Sequence, residues 1–215
     1  MQTLSNISFK SRNSLVKDAG LVCRKVRTAF PYVSHAKAAH EASPEILKNK
    51  DIVNFILKRE KTLKEYREDQ RHIQKPFNRY KEILYCAIKE KLAACYDLSV
   101  LTELVLRLNG IKNCTKVSLT NAEGKLLNHS AVIVKTSNNP KKNIIIDPWL
   151  QDCGLESEML TKYKSIYAKY FRKLSPNDKI ELTLRPQEKL SQEEINYFKE
   201  KYPQLIINKA LFQKA

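Results

Sequence analysis

Ala93-Ala94-Cys95-Tyr96-Asp97-Leu98-Ser99-Val100-Leu101-Thr102-Glu103-Leu104-Val105-Leu106-Arg107-Leu108-Asn109-Gly110 is the stretch on which the fold turns. Leu98, Leu101, Thr102, Val105 and Leu108 recur at helical spacing. Neither flank of this helix is fully polar, which predicts burial on every side. Asn109-Gly110 supplies the stop, since a residue at positive φ commonly closes a helix. The helix therefore opens on a cysteine and ends on a glycine.

Downstream, the period changes from 3.6 to 2. Thr115–Leu119 alternates, Asn121–Gly124 reads as a turn, and Leu126–Lys135 reads as a strand carrying His129. Thr136–Lys142 reads as a hairpin loop. Asn143-Ile144-Ile145-Ile146-Asp147-Pro148-Trp149 is a short β-branched strand, stopped by a proline that has no N–H to give to a ladder. A basic, tyrosine-rich helix is expected from Gly154 to about Lys173, and a further strand over Ile180–Leu184. Ser191 with Glu194 three residues later marks a helix start. Tyr163, Tyr167 and Tyr170 fall on one helical stripe, for which core packing is the ordinary use and a partner-binding surface the second.

Upstream, Ser43-Pro44-Glu45 reads as a helix start, followed by an apolar-periodic segment and a charged run from Lys58 to Gln74. After Pro76, the residues Tyr80, Ile83, Leu84, Ala87, Ile88 and Leu92 form one apolar face of another helix. Residues 1–43 read as a basic N-terminal arm of net charge +5, with room for disorder and a helical part at Leu15–Val26. Its Ser-rich, acid-poor composition loosely matches a transit peptide, but it holds no continuous apolar core of a Sec signal. Residues 44–215 read as a single α+β domain: helical over 44–109, sheet over 114–149, and helices with a strand over 155–215.

The chemistry-bearing residues come in one order: Cys95 opening a buried helix, His129 on a strand, Asp147 at a strand end. A thiol becomes a useful nucleophile only as thiolate, and the positive end of a helix dipole favours that form. An imidazole on an adjacent strand can accept the thiol proton and later return it to a leaving amine. A carboxylate holds that imidazole in one tautomer and stabilises its cation. Asp147 follows His129 by 18 residues with a hairpin loop between, so antiparallel strands bring them near, and register decides whether they face. Each residue alone has a plainer reading, as inert core thiol, satisfied core histidine or turn aspartate. Cys23, Cys86, Cys114 and Cys153 are read as structural thiols. His35, His40 and His72 lack metal spacing, and neither metal nor cofactor is expected.

Cys95-Tyr-Asp-Leu-Ser, His129-Ser-Ala-Val-Ile-Val and Ile146-Asp147-Pro148-Trp149 together resemble the papain-like and transglutaminase-like cysteine hydrolases. The nearest likeness is to Cys-His-Asp effector proteases and glutamine deamidases of host-associated bacteria. It covers about residues 78–152. The resemblance implies a papain-like α+β fold, a protein substrate, a thioester intermediate and delivery by a bacterium into a host cell; cytoplasmic residence is the other setting. The sequence departs from the family pattern in having Ala93-Ala94 where Gly, Asn or Gln precedes the cysteine. No Gln or Asn occupies 82–94, so a papain-type side-chain oxyanion donor is missing from that stretch. The Cys95 amide is one candidate donor, with Asn78 and Tyr96 as candidates for the second. Asp97 matches an acidic residue of the pattern and also suits a helix N-terminus. Trp149 is a candidate wall of the catalytic groove.

The chain of 215 residues carries 39 Lys+Arg and 23 Asp+Glu, a net charge of +16. No apolar run approaches the roughly 20 residues of a spanning helix, so a soluble protein is expected. The excess leaves open a module for nucleic acid or anionic membrane, or a catalytically inactive papain-like scaffold. The charge is nevertheless spread along the chain and lowest, at net +2, over residues 95–154. A nucleic-acid reader concentrates charge on one element. The spread favours a surface that draws an acidic protein partner.

Overall fold

The computed structural model describes residues 4–29, 75–89, 93–136, 139–167, 178–185, 189–208 and 211–212. The helix start at Ser43 and the charged run Lys58–Gln74 lie outside the described residues. Among those described are five α-helices and five strands: α1 (Leu4–Ala29), α2 (Pro76–Lys89), α3 (Cys95–Leu108), β1 (Cys114–Asn121), β2 (Leu126–Val134), β3 (Ile144–Asp147), β4 (Asp152–Leu155), α4 (Glu156–Ile166), β5 (Ile180–Leu184) and α5 (Gln192–Lys201). The strands form one antiparallel sheet in the order β4-β3-β2-β1-β5. The architecture is α+β, consistent with a papain-like or transglutaminase-like fold.

The period-two residues sort the core into two layers, because alternate side chains leave a strand on opposite faces. Cys114, Val132, Val134, Ile144 and Ile146 pack with α1, α2, α3 and Phe198 of α5. Val117, Leu119, Ala131, Ile133 and Ile145 pack with Met159, Tyr163 and Tyr167 on the other side. Twelve of the fourteen residues of α3 are buried, which explains its apolar flanks. The two carboxylates it buries have partners: Glu103 accepts from Arg107 at 2.7 Å and lies 3.9 Å from the Lys116 ammonium, and Asp97 accepts the Ala94 amide at 2.8 Å.

The N-terminal arm is the main correction to the sequence reading. Its described part is α1, whose Leu15, Ala19, Val22, Cys23 and Val26 are buried in the larger core against β3, β4 and α3. The basic residues interrupt that stripe without displacing it, since Arg24 is exposed while its apolar neighbours face inward. Leu15→Ala is therefore expected to destabilise the protein by about 2–4 kcal/mol, measured by chemical denaturation, whereas an arm outside the core would give no change.

Two smaller differences concern the sheet and a helix. The strand β4 was not foreseen, because Asp152-Cys-Gly-Leu155 is short and lacks alternation; it forms by pairing Ile144–Asp147 with Asp152–Leu155. Ile88, expected on the apolar face of α2, is 44% exposed, while Tyr80, Ile83, Leu84 and Ala87 are buried. The tyrosine-rich helix is described to Tyr167, and Tyr170 falls outside the described residues. At α5, the Ser191 hydroxyl accepts the Glu194 amide at 3.1 Å and the Glu194 carboxylate accepts the Ser191 amide at 2.7 Å, closing the expected capping box.

Candidate active site

Cys95 is the first residue of α3, and Ala94 before it is extended at φ −104° and ψ 178°. No side chain of Ala94 can cap the helix, so Asp97 takes the Ala94 amide instead. Asp97 thus holds the helix end through one carboxylate oxygen. The first-turn amides, Cys95's among them, sit at the positive end of the helix.

The β2–β3 register pairs Val132 with Ile146 and therefore brings Asp147 opposite Ala131, two residues from His129 on the same side. His129 Nε2 meets Asp147 Oδ2 at 2.5 Å. The Cys95 thiol hydrogen-bonds to the His129 side chain. The three residues singled out in the sequence thus form one hydrogen-bonded run, with His129 4% and Asp147 0% exposed.

Asp147 is itself held from three directions. Besides His129, its Oδ2 accepts the Tyr163 hydroxyl at 2.7 Å, and its Oδ1 accepts the Leu150 amide at 3.1 Å. The second contact comes from the tight Pro148–Gln151 turn into β4, where Gln151 adopts φ 57°. That turn also sets Trp149 beside the imidazole, with ring centroids 5.1 Å apart and an interplanar angle of 61°. Tyr163 lies 5.5 Å from the same ring. His129 is thereby flanked by two aromatic rings. The Tyr163 contact was missed in the sequence because the 163/167/170 stripe reveals a helix face but not what a phenol at its inner edge will meet. Among the described residues, Asn78 is exposed on α2 and makes no hydrogen bond to the three. Tyr96 is half-buried, with the Lys116 ammonium 5.5 Å from its ring centroid.

The electrostatics favour a charged pair. Burial pulls the His129 imidazolium down, but Asp147 opposes it by charge and hydrogen bond, Cys95 adds to the lift, and the result is a pKa of about 10. An imidazolium beside a thiol favours the thiolate. The other described thiols are raised. Burial pushes Cys23 and Cys114 up to about 12, and burial also raises Cys153. A small alkylating agent at neutral pH is expected to modify Cys95 ahead of Cys23, Cys114 and Cys153. Peptide mapping of the alkylated protein checks this, and equal modification of the four would remove the distinction. Among the described residues no group of His, Cys, Asp and Glu could hold a metal ion, and no helix is long and apolar enough to cross a membrane.

A thiol at a helix N-terminus, an imidazole and a carboxylate on adjacent antiparallel strands define the papain-like class of cysteine-dependent enzymes. Residues 22–152 match the family described as the transglutaminase-like domain, and the chain belongs to that family. The match begins within α1, in keeping with the place of that helix in the core. No curated protein and no solved structure matches the chain.

Proposed function

We propose that the protein is a cysteine-dependent amidase acting on a protein substrate, either at a glutamine side chain or at a peptide bond. The observation that carries this reading is the hydrogen-bonded run from Cys95 through His129 to Asp147. The Cys95 thiolate attacks the amide carbonyl carbon and forms a C–S bond, while the electron pair moves to the carbonyl oxygen. The first-turn amides of α3 stabilise that oxyanion. The C–N bond breaks as the His129 imidazolium gives its proton to the departing nitrogen, leaving a thioester. Water then attacks the thioester carbonyl, His129 takes its proton, and the carboxylic acid leaves with the thiolate restored. Asp147 keeps Nε2 engaged and stabilises the imidazolium at each stage.

A glutamine side chain would release ammonia, and a peptide bond a new amino terminus. The net charge of +16 suits a substrate with an acidic surface. Incubating the protein with glutamine-containing acidic proteins and following ammonia and new amino termini tests the reading. Product that depends on Cys95 supports it, and product formed equally by Cys95→Ala overturns it.

A further inference from the structure

The mechanism uses Asp147 through one oxygen, and that oxygen is shared. Oδ2 accepts both His129 Nε2 at 2.5 Å and the Tyr163 hydroxyl at 2.7 Å. The two donors approach from different parts of the fold, His129 from β2 and Tyr163 from α4, which packs on the face of the sheet opposite the α3 core. Tyr163 is 1% exposed and Asp147 fully buried, so water does not compete for the contact. An ionised carboxylate only accepts, so the phenol must donate.

We infer that Tyr163 is a positioning residue for the Cys95–His129 pair: by sharing Oδ2, its hydroxyl fixes the carboxylate rotamer and takes up part of its charge, so that the imidazolium is held less tightly than by a lone buried carboxylate and still yields its proton to the leaving nitrogen. The catalytic part of this role rests on the amidase reading.

The groups packed around the carboxylate support a steady donor. Burial, then Asp147, keeps the Tyr163 phenol protonated well above its ordinary range. Cys23 of α1, with its sulfur 3.9 Å from the Asp147 carbonyl oxygen, is a neutral thiol at neutral pH, since burial pushes it up to about 12. Arg27 of α1 acts on Cys23, and Tyr167, at the C-terminal cap of α4, acts on Tyr163. Asp152 of β4, which also acts on Tyr163, is paired with Lys162. Tyr167 gives its own hydroxyl to the Leu127 carbonyl at 2.8 Å, well away from Asp147 in bonding, and is the natural control.

The test is proton NMR of the His129 Nε2–H in the full chain at neutral pH, with the signal assigned by its loss in His129→Gln. In Tyr163→Phe the carboxylate concentrates on His129, and the signal is expected further downfield. Placing 3-fluorotyrosine, a stronger donor, at 163 is expected to move it upfield, and this variant serves if Tyr163→Phe does not fold. Tyr167→Phe is expected to leave it in place. With an acyl substrate, Tyr163→Phe is expected to lower kcat about tenfold, about 1.4 kcal/mol in barrier, with KM unchanged. An unmoved His129 signal in Tyr163→Phe, or an equal shift in Tyr167→Phe, overturns the assignment. The NMR signal needs no substrate, so a protein without amidase activity would fail the functional reading alone.

Discussion

Cys95→Ala is expected to lower amide hydrolysis by about a thousandfold or more while leaving the fold in place. The size follows from the way a nucleophile and its base act as a unit, since removing the attacking atom forfeits the covalent route and leaves only binding and oxyanion stabilisation. The intact fold follows from position. Cys95 is 8% exposed at the first turn of α3 and lies outside both clusters of core side chains. Losing one sulfur there costs about 1 kcal/mol or less. Activity and thermal unfolding measured on the same preparation separate the two effects. Cys114→Ala, in the larger core, is expected to show the reverse: lower stability with the reaction retained.

Asp147→Ala is expected to strike both properties together. The carboxylate is fully buried and accepts from His129, Tyr163 and the Leu150 amide. Removing it strands a buried imidazole between two aromatic rings, and breaking a buried pair in this way costs about 3–5 kcal/mol. The pH dependence carries the sharper signature. The His129 pKa stands near 10 in the folded protein, against about 6.5 when unfolded. The folded state therefore binds the proton more tightly, and the stabilisation is complete below about pH 6.5. It is lost as the pH rises from there through 10, in an amount of a few kcal/mol. Denaturation midpoints across pH 6–10 are expected to fall in the native chain. In Asp147→Ala, where burial opposes the charge and only Cys95 still favours it, that alkaline decline is expected to shrink sharply. A decline of the same steepness in both proteins would place its origin elsewhere.

The parts of the molecule most legible in the sequence were those where a periodic pattern and an uncommon residue coincide. The helix opening with Cys95 was readable because leucines and valines occupy every face, which only a buried helix tolerates. The strands carrying His129 and Asp147 were readable from β-branched runs bounded by Asn121–Gly124 and Pro148. Register was not readable, although one residue of slip would turn Asp147 away from His129. It is determined by the pairing of Val132–Val134 with Ile144–Ile146 and by the turn that ties Leu150 back to Asp147.

α1 was misplaced for a different reason. Its net charge reads as a basic arm, yet burial is decided by the single stripe Leu15, Ala19, Val22, Cys23 and Val26, and the basic residues beside it do not weaken that stripe. The small residues in it, Ala19 and Cys23, give a weak apolar signal in sequence although they let the helix approach β3 and β4 closely. Tyr163 shows the limit most plainly. Its spacing marked an inward position correctly, but a phenol buried for packing and a phenol buried to meet a carboxylate look alike until the sheet brings Asp147 beneath it.

The central claim is that Cys95, driven by His129, forms a thioester. p-Nitrophenyl acetate offers it an acyl group without knowledge of the natural substrate. Intact-mass measurement followed by peptide mapping, at neutral pH and early times, reads where the acetyl group sits. The account predicts an acetyl adduct on Cys95 that forms in a nitrophenol burst and then turns over, is absent in Cys95→Ala, and forms far more slowly in His129→Ala. Acetylation scattered over lysines and other cysteines, at a rate the His129 substitution does not alter, would contradict it.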